Sequence, residues 1–267
     1  MNGLTELVFI LDRSGSMFGL EADTIGGFNA MLEKQKAVAS PVLISTVLFN
    51  DKSEVIHDRC NIADIPQLTE KDYEVSGCTA LLDAIGDAVK HIRNVHRYLR
   101  PEDVPARTLF VITTDGMENA SSRFSGDEVR KLIESQKEKG WEFLFLGANI
   151  DAVETARSFG ILEDNAVDYM NDSKGLGSAY DSISHACCCF VEQGIIGRNW
   201  KKAARDDYAR RSGKKTSAKG LNWTEKLRKL LDPSHGLLLR HLSMHCIYHL
   251  LFYTQRRDDQ FSLQVCL

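Results

Sequence analysis

The chain has no stretch long and apolar enough to cross a bilayer. Its best candidate, residues 237–253, is interrupted by Arg240 and three histidines, whereas a spanning helix needs roughly 20 apolar residues. At the N-terminus the apolar run 7–11 has no basic segment before it and ends at Asp12, so no signal peptide is expected. Seven cysteines, at 60, 78, 187, 188, 189, 246 and 266, lack the paired spacing of a disulfide framework or a zinc site, and unpaired thiols suit a reducing compartment. The expectation is a soluble, cytoplasmic protein that makes no membrane contact. There is no Gly-x-x-x-x-Gly-Lys-Ser/Thr phosphate loop and no Gly-x-Ser-x-Gly nucleophile elbow, which argues against P-loop nucleotide hydrolysis and an elbow-type serine hydrolase. Net charge is also small: the formal value of −4, with a pI near 6.1, gives no general attraction to nucleic acid or anionic lipid. That average conceals a split, since residues 193–267 carry about +9 and residues 1–192 about −13.

What is present suits one large domain with an appendage: 267 residues, 43% of them apolar. Apolar runs rich in Val, Ile and Phe recur at 7–11, 42–49, 108–113 and 141–146, short enough for strands buried on both faces. Between them the apolar residues step by three or four. Leu81, Leu82, Ile85, Val89, Ile92, Val95 and Leu99 form one helical stripe, and Ile25, Phe28 and Leu32 another. Val129, Leu132 and Ile133 follow Ser125-Gly126-Asp127-Glu128, which has the form of a capping box. A hairpin at Asn50-Asp51-Lys52 leads into an antiparallel edge strand at 54–57, and a weaker strand at 166–169 precedes a helix from about 173 to 190. Alternating strands and helices predict an α/β fold: Rossmann-like, doubly wound, mostly parallel, with one antiparallel edge strand and helices on both faces. The expected domain is 1–192, and 193–267 reads as a basic, partly helical extension.

In open α/β sheets ligands bind where loops leave the carboxyl ends of the strands. After the first expected strand comes Asp12-Arg13-Ser14-Gly15-Ser16; after the fourth, Thr114-Asp115-Gly116; at the start of the long helix between them, Gly77-Cys78-Thr79. Asp12, Ser14, Ser16, Thr79 and Asp115 therefore converge at one end of the sheet as five oxygen-bearing side chains. Mg²⁺ and Mn²⁺ prefer oxygen ligands, and Mg²⁺ keeps several waters. Two carboxylates supply charge while three hydroxyls supply neutral donors, a set that holds a cation without fully neutralising it.

These segments also carry a resemblance. Phe9-Ile10-Leu11-Asp12-Arg13-Ser14-Gly15-Ser16-Met17, Gly77-Cys78-Thr79 and Val111-Ile112-Thr113-Thr114-Asp115-Gly116 resemble the three loops of the metal-ion-dependent adhesion site (MIDAS) of von Willebrand factor A domains, particularly small bacterial cytoplasmic ones. The resemblance covers roughly residues 4–190. It implies a Rossmann-like sheet in which Ser14, Ser16 and in some members Thr79 touch the metal, Asp12 and Asp115 act directly or through water, and a partner's Asp or Glu carboxylate completes the coordination. The chain departs from the pattern at Cys78, where a second glycine is frequent.

Other readings compete. Asp12 stands where a Mg²⁺-dependent phosphohydrolase or phosphotransferase places its nucleophile, but such enzymes need a second carboxylate two residues on as general acid, and that position is Ser14. Ser14 or Ser16 with His57 or His91 would make a serine nucleophile, without the elbow that presents one. The basic arm 198–229, with Trp200, Tyr208 and Trp223 interleaved, has the composition of a nucleic-acid contact; packing on its own acidic domain is the favoured reading. His241, His245 and His249, beside Cys246, would align on a helix face and suggest zinc, and Cys187-Cys188-Cys189 fits a helix packing against the core. The reading that results is a non-enzymatic, divalent-metal-dependent module presenting Mg²⁺ to an acidic residue of another protein.

Overall fold

The computed structural model describes residues 3–38 and 40–213. They form one six-stranded sheet in the order β3-β2-β1-β4-β5-β6, built from β1 (Thr5–Asp12), β2 (Val42–Phe49), β3 (Ser53–Asn61), β4 (Arg107–Thr114), β5 (Glu142–Gly147) and β6 (Ala166–Asp168). Every pairing is parallel except that of β2 with β3. The helices are α1 (Glu21–Lys36), α2 (Leu81–Tyr98), α3 (Gly126–Lys137), α4 (Ala152–Ser158), α5 (Ser173–Gln193) and α6 (Lys202–Arg211). This is the expected α/β doubly wound architecture. None of the helices among the described residues is long and apolar enough to cross a membrane.

The alternation along the central strands decides the layers. Leu7, Phe9 and Leu11 of β1 and Leu109 and Val111 of β4 join a core with α1 and α5. Val8, Ile10, Phe110 and Ile112 join a second core with α2, α3 and α4. Because both faces are covered, these strands are continuously apolar instead of alternating with polar residues. β3 differs: its residues are mostly half-buried or exposed. It reaches Asn61, beyond the expected end at 57, because pairing with β2 continues past an irregularity around Thr46. That continuation is carried by backbone groups, which leave no hydrophobic signal.

Local signals behave as their chemistry requires. The Ser125/Glu128 capping box is formed on both sides, and α5 ends at Gly194, whose φ of 75° is the left-handed conformation that glycine adopts without cost. Packed structure crosses the boundary expected at residue 192. Trp200 is buried and donates its indole N–H to the Asp164 carbonyl at 2.9 Å. The Ala204 backbone N–H bonds Ser182 Oγ of α5 at 3.1 Å, and α6 packs on α5 and β6. The first compact unit of the chain thus includes α6. The histidine and cysteine group at 241–249 lies outside the described residues, as does the arm beyond 213.

Candidate metal centre

The strand order reverses its direction of winding at β1, between β2 on one side and β4 on the other. Loops leaving β1 and β4 therefore separate, and the crevice between them is the place where this class of sheet binds ligands. Into it project Asp12 and Asp115, the first at the end of β1 and the second just after β4. Asp12, Ser14, Thr79 and Asp115 are almost fully buried, whereas Ser16 is exposed at the mouth.

The first loop is folded by its own polar groups. The Ser14 backbone N–H donates to Asp12 Oδ1 at 2.7 Å, an Asx-type turn, and Met17 N–H to the Ser14 carbonyl at 3.0 Å closes a short 3₁₀ turn. Gly15 N–H then bonds the Gly77 carbonyl at 3.0 Å, tying the first loop to the second. Gly77 has a φ of +74°, and a Cβ there would lie 2.3 Å from the Asp51 carboxylate. Asp51 in turn accepts the Cys78 N–H at 2.7 Å, so the hairpin turn fixes the approach of Thr79. Asn119 clamps Thr79 from the other side, its Oδ1 accepting the Thr79 N–H at 2.9 Å while its own N–H bonds the Thr79 carbonyl at 3.1 Å.

All five expected side chains come together. Thr79 Oγ1 donates to Ser14 Oγ at 3.1 Å, the Ser14 and Ser16 hydroxyls lie 3.1 Å apart, and Ser16 Oγ donates to Asp115 Oδ1 at 2.5 Å. Asp12 joins the group through Ser14 N–H, and its Oδ2 accepts Thr114 Oγ1 at 2.6 Å. Burial raises the Asp12 carboxyl above its usual range despite these donors. Burial, together with the neighbouring Asp12 charge, raises Asp115 to about 6 against the hydrogen bonds from Ser16 and Asn171. Two carboxyls held together in this way ionise reluctantly unless a positive charge lies between them.

Three features fit a hard divalent cation. The donors are all oxygen, in the mixture of carboxylate and hydroxyl that Mg²⁺ and Mn²⁺ accept; among the described residues no cluster of three His, Cys, Asp or Glu competes with it. At Gly116 a Cβ would stand 3.4 Å from Ser16 Oγ and 3.5 Å from Thr79 Oγ1, so the missing side chain leaves open the space that these hydroxyls face. Asn171 donates to Asp115 Oδ2 at 3.1 Å, while its own buried Oδ1 has no partner among the described residues, an acceptor suited to a metal-bound water.

Sequence reasoning missed the residues that hold this group in place. Thr114 orients Asp12, Asn149 Nδ2 donates to the Asp115 carbonyl at 3.1 Å, and the Tyr73 hydroxyl donates to the Asp12 carbonyl. Thr114 was signalled only by its place beside Asp115. Tyr73, Asn149 and Asn171 lie in loops whose approach depends on the fold. The competing sites do not assemble: His57 is hydrogen-bonded to Thr46 and His91 to Asp58, so neither is bonded to the serines. The described part of the basic arm is engaged with the domain, Trp200 in the core and Arg211 paired with Asp172 and Asp207.

No protein-family model matches the chain, and no curated protein sequence does. Solved structures do. Proximal thread matrix protein 1 from the mussel byssus superposes with a TM-score of 0.51 at 16% identity, over 70% of this chain and 46% of that one. The vWF domain of the type V pili tip protein Mfa5 from Porphyromonas gingivalis gives 0.52 at 11% identity, over 72% of this chain and 98% of that one. A form of the mussel protein with a zinc-occupied MIDAS motif gives 0.50 at 15% identity, over 69% of this chain and 46% of that one. The chain thus spans less than half the length of the mussel protein and nearly all of the Mfa5 domain. At such identities the likeness is one of fold.

Proposed function

We propose that this chain, a von Willebrand factor A domain by its fold, is a divalent-metal-dependent protein-binding module that takes an acidic side chain of another protein as its ligand. The observation that carries the reading is the meeting of Asp12, Ser14, Ser16, Thr79 and Asp115 in one crevice, with the space beside Gly116 left open. A bound Mg²⁺ supplies an electrophilic centre able to accept a carboxylate oxygen from outside the chain. The zinc-occupied MIDAS of the mussel protein supports a divalent ion at this place in the fold.

The chain's own residues divide the work. Asp12 and Asp115 bring the negative charge. Ser14 and Thr79 are buried neutral donors, and Ser16, exposed at the mouth, stands where the partner would approach. Asp12 Oδ1 and Oδ2 are held by Ser14 N–H and Thr114 Oγ1, so this carboxylate is oriented, and its free lone pairs alone remain for a cation or its water. A nucleophilic Asp12 would need a general-acid carboxylate two residues on, where Ser14 stands; non-enzymatic binding is the reading that fits.

Calorimetric titration of Mg²⁺ and Mn²⁺ into chelator-treated protein tests the site. Saturable binding is expected, lost in Asp12→Ala with the fold retained by circular dichroism. Equal binding by wild type and Asp12→Ala would sink the assignment.

A further inference from the structure

We infer that the partner's acidic residue is read together with a bulky apolar residue one or two positions away, by an apolar collar and cleft beside the metal centre. The inference rests on the metal-dependent reading above and adds the chemistry of the partner to it. Two of the most exposed large apolar side chains among the described residues stand in the ligand-bearing loops. Phe18, two residues after Ser16, is 83% exposed, and Met117, two residues after Asp115, is 74% exposed. The third loop exposes Cys78 immediately before Thr79.

Single exposed apolar residues need no explanation, but here two stand in the loops that carry the polar centre, and the backbone holds Phe18 out. Met17 and Leu20 on either side of Phe18 are buried. Gly19, with a φ of +85°, turns the chain between Phe18 and Leu20, so Phe18 faces solvent while its neighbours anchor the loop. From Gly116 and Met117 a cleft of about 390 Å³ runs between the start of α2 and α4, its apolar wall formed by Leu81, Leu82, Ile150 and Phe159 and its polar edge by Glu118 and Glu154. Gly116 lines the cleft and directly follows the ligand Asp115. An extended partner chain advances about 3.5 Å per residue, so a segment whose carboxylate reaches the centre brings its next or next-but-one side chain over this cleft. Cation and carboxylate supply attraction, and the apolar contacts supply selection among acidic segments.

The test is selection from a synthetic peptide library with a fixed central Glu between randomised positions, on the full chain with Mg²⁺. Leu, Ile, Met, Phe or Trp should be enriched within two positions of the Glu. Selected peptides should bind about tenfold more weakly to Met117→Ser, the loss of one well-buried apolar contact. The same loss is expected for Ser158→Trp, which fills the cleft from α4, while both variants titrate Mg²⁺ as the wild type does. Mg²⁺-dependent binding of Glu peptides without apolar preference would overturn this inference and leave the metal site standing. Selection of no peptide would overturn it too. Binding that persists in chelator or in Asp12→Ala would overturn the metal reading itself.

Discussion

Replacing Asp115 by Asn should stabilise the metal-free protein and abolish its response to metal. In the fold its carboxyl titrates near 6 against an ordinary 3.8, chiefly through burial. The group therefore holds its proton more tightly folded than unfolded. Below 3.8 both states are protonated and the residue is neutral in the balance. Between 3.8 and 6 the unfolded chain ionises first, so stability falls as pH rises; above 6 the fold bears the whole cost. A shift of about two units corresponds to roughly 3 kcal/mol. Solvent reaching the site past the exposed Ser16 screens part of this, which leaves about 1–2 kcal/mol. Asn keeps the shape: Asn171 can still donate to its carbonyl, and the Ser16 hydroxyl can turn to accept from its amide. In urea unfolding with chelator at pH 7.5, Asp115→Asn should exceed wild type by about 1–2 kcal/mol, and the gap should close towards pH 4. With Mg²⁺ at about 100 times its Kd, wild type gains about 2.7 kcal/mol and the variant nothing, so the order reverses. A variant no more stable than wild type in chelator, or equally advantaged at both pH values, would refute the argument that buried charge is the cost the metal relieves.

Three further outcomes follow from the packing. Gly116→Ala places a methyl at ordinary contact distance from Ser16 and Thr79, so urea unfolding should change by no more than about 0.5 kcal/mol while calorimetry shows Mg²⁺ affinity reduced at least about tenfold. Glu6, fully buried in β1, accepts from Arg59 at 2.5 Å and pairs with His96 at 2.6 Å. Glu6→Ala leaves the largely covered Arg59 without its partner and should cost about 3–5 kcal/mol in chemical unfolding; a loss under about 1 kcal/mol would mean water replaces the carboxylate. Trp200→Ala removes a buried ring that fastens the segment after α5, with an expected cost of about 3–5 kcal/mol. An unchanged midpoint would place that segment outside the cooperative unit.

Much of the fold, and the meeting of the five oxygen-bearing side chains, was legible because the signals are local. β2 is bounded as its apolar run predicts, and the stripe from Leu81 marks α2 to within a residue. β3 beyond His57 and α4 were not legible. The first is held by backbone pairing on an exposed edge, and the second is only Ala152–Ser158, about two turns and too short for periodicity to emerge. The basic residues of 193–211 pack on the acidic domain, as their charge suggests: Lys201 donates to the Glu163 and Ala166 carbonyls and Arg211 pairs with Asp172, which fastens α6 to the sheet domain.

By itself the sequence determined which residues carry oxygen donors and that they follow strands buried on both faces, because hydrophobic period and turn chemistry act over a few residues. Only the tertiary structure decided which atoms meet. Thr114 on Asp12, Asn171 on Asp115 and Asp51 beneath Gly77 join residues far apart in the chain or orient neighbours across a strand end. Those contacts exist because the winding of the sheet reverses at β1 and parts the loops there. That reversal is a property of strand order, which no local pattern encodes.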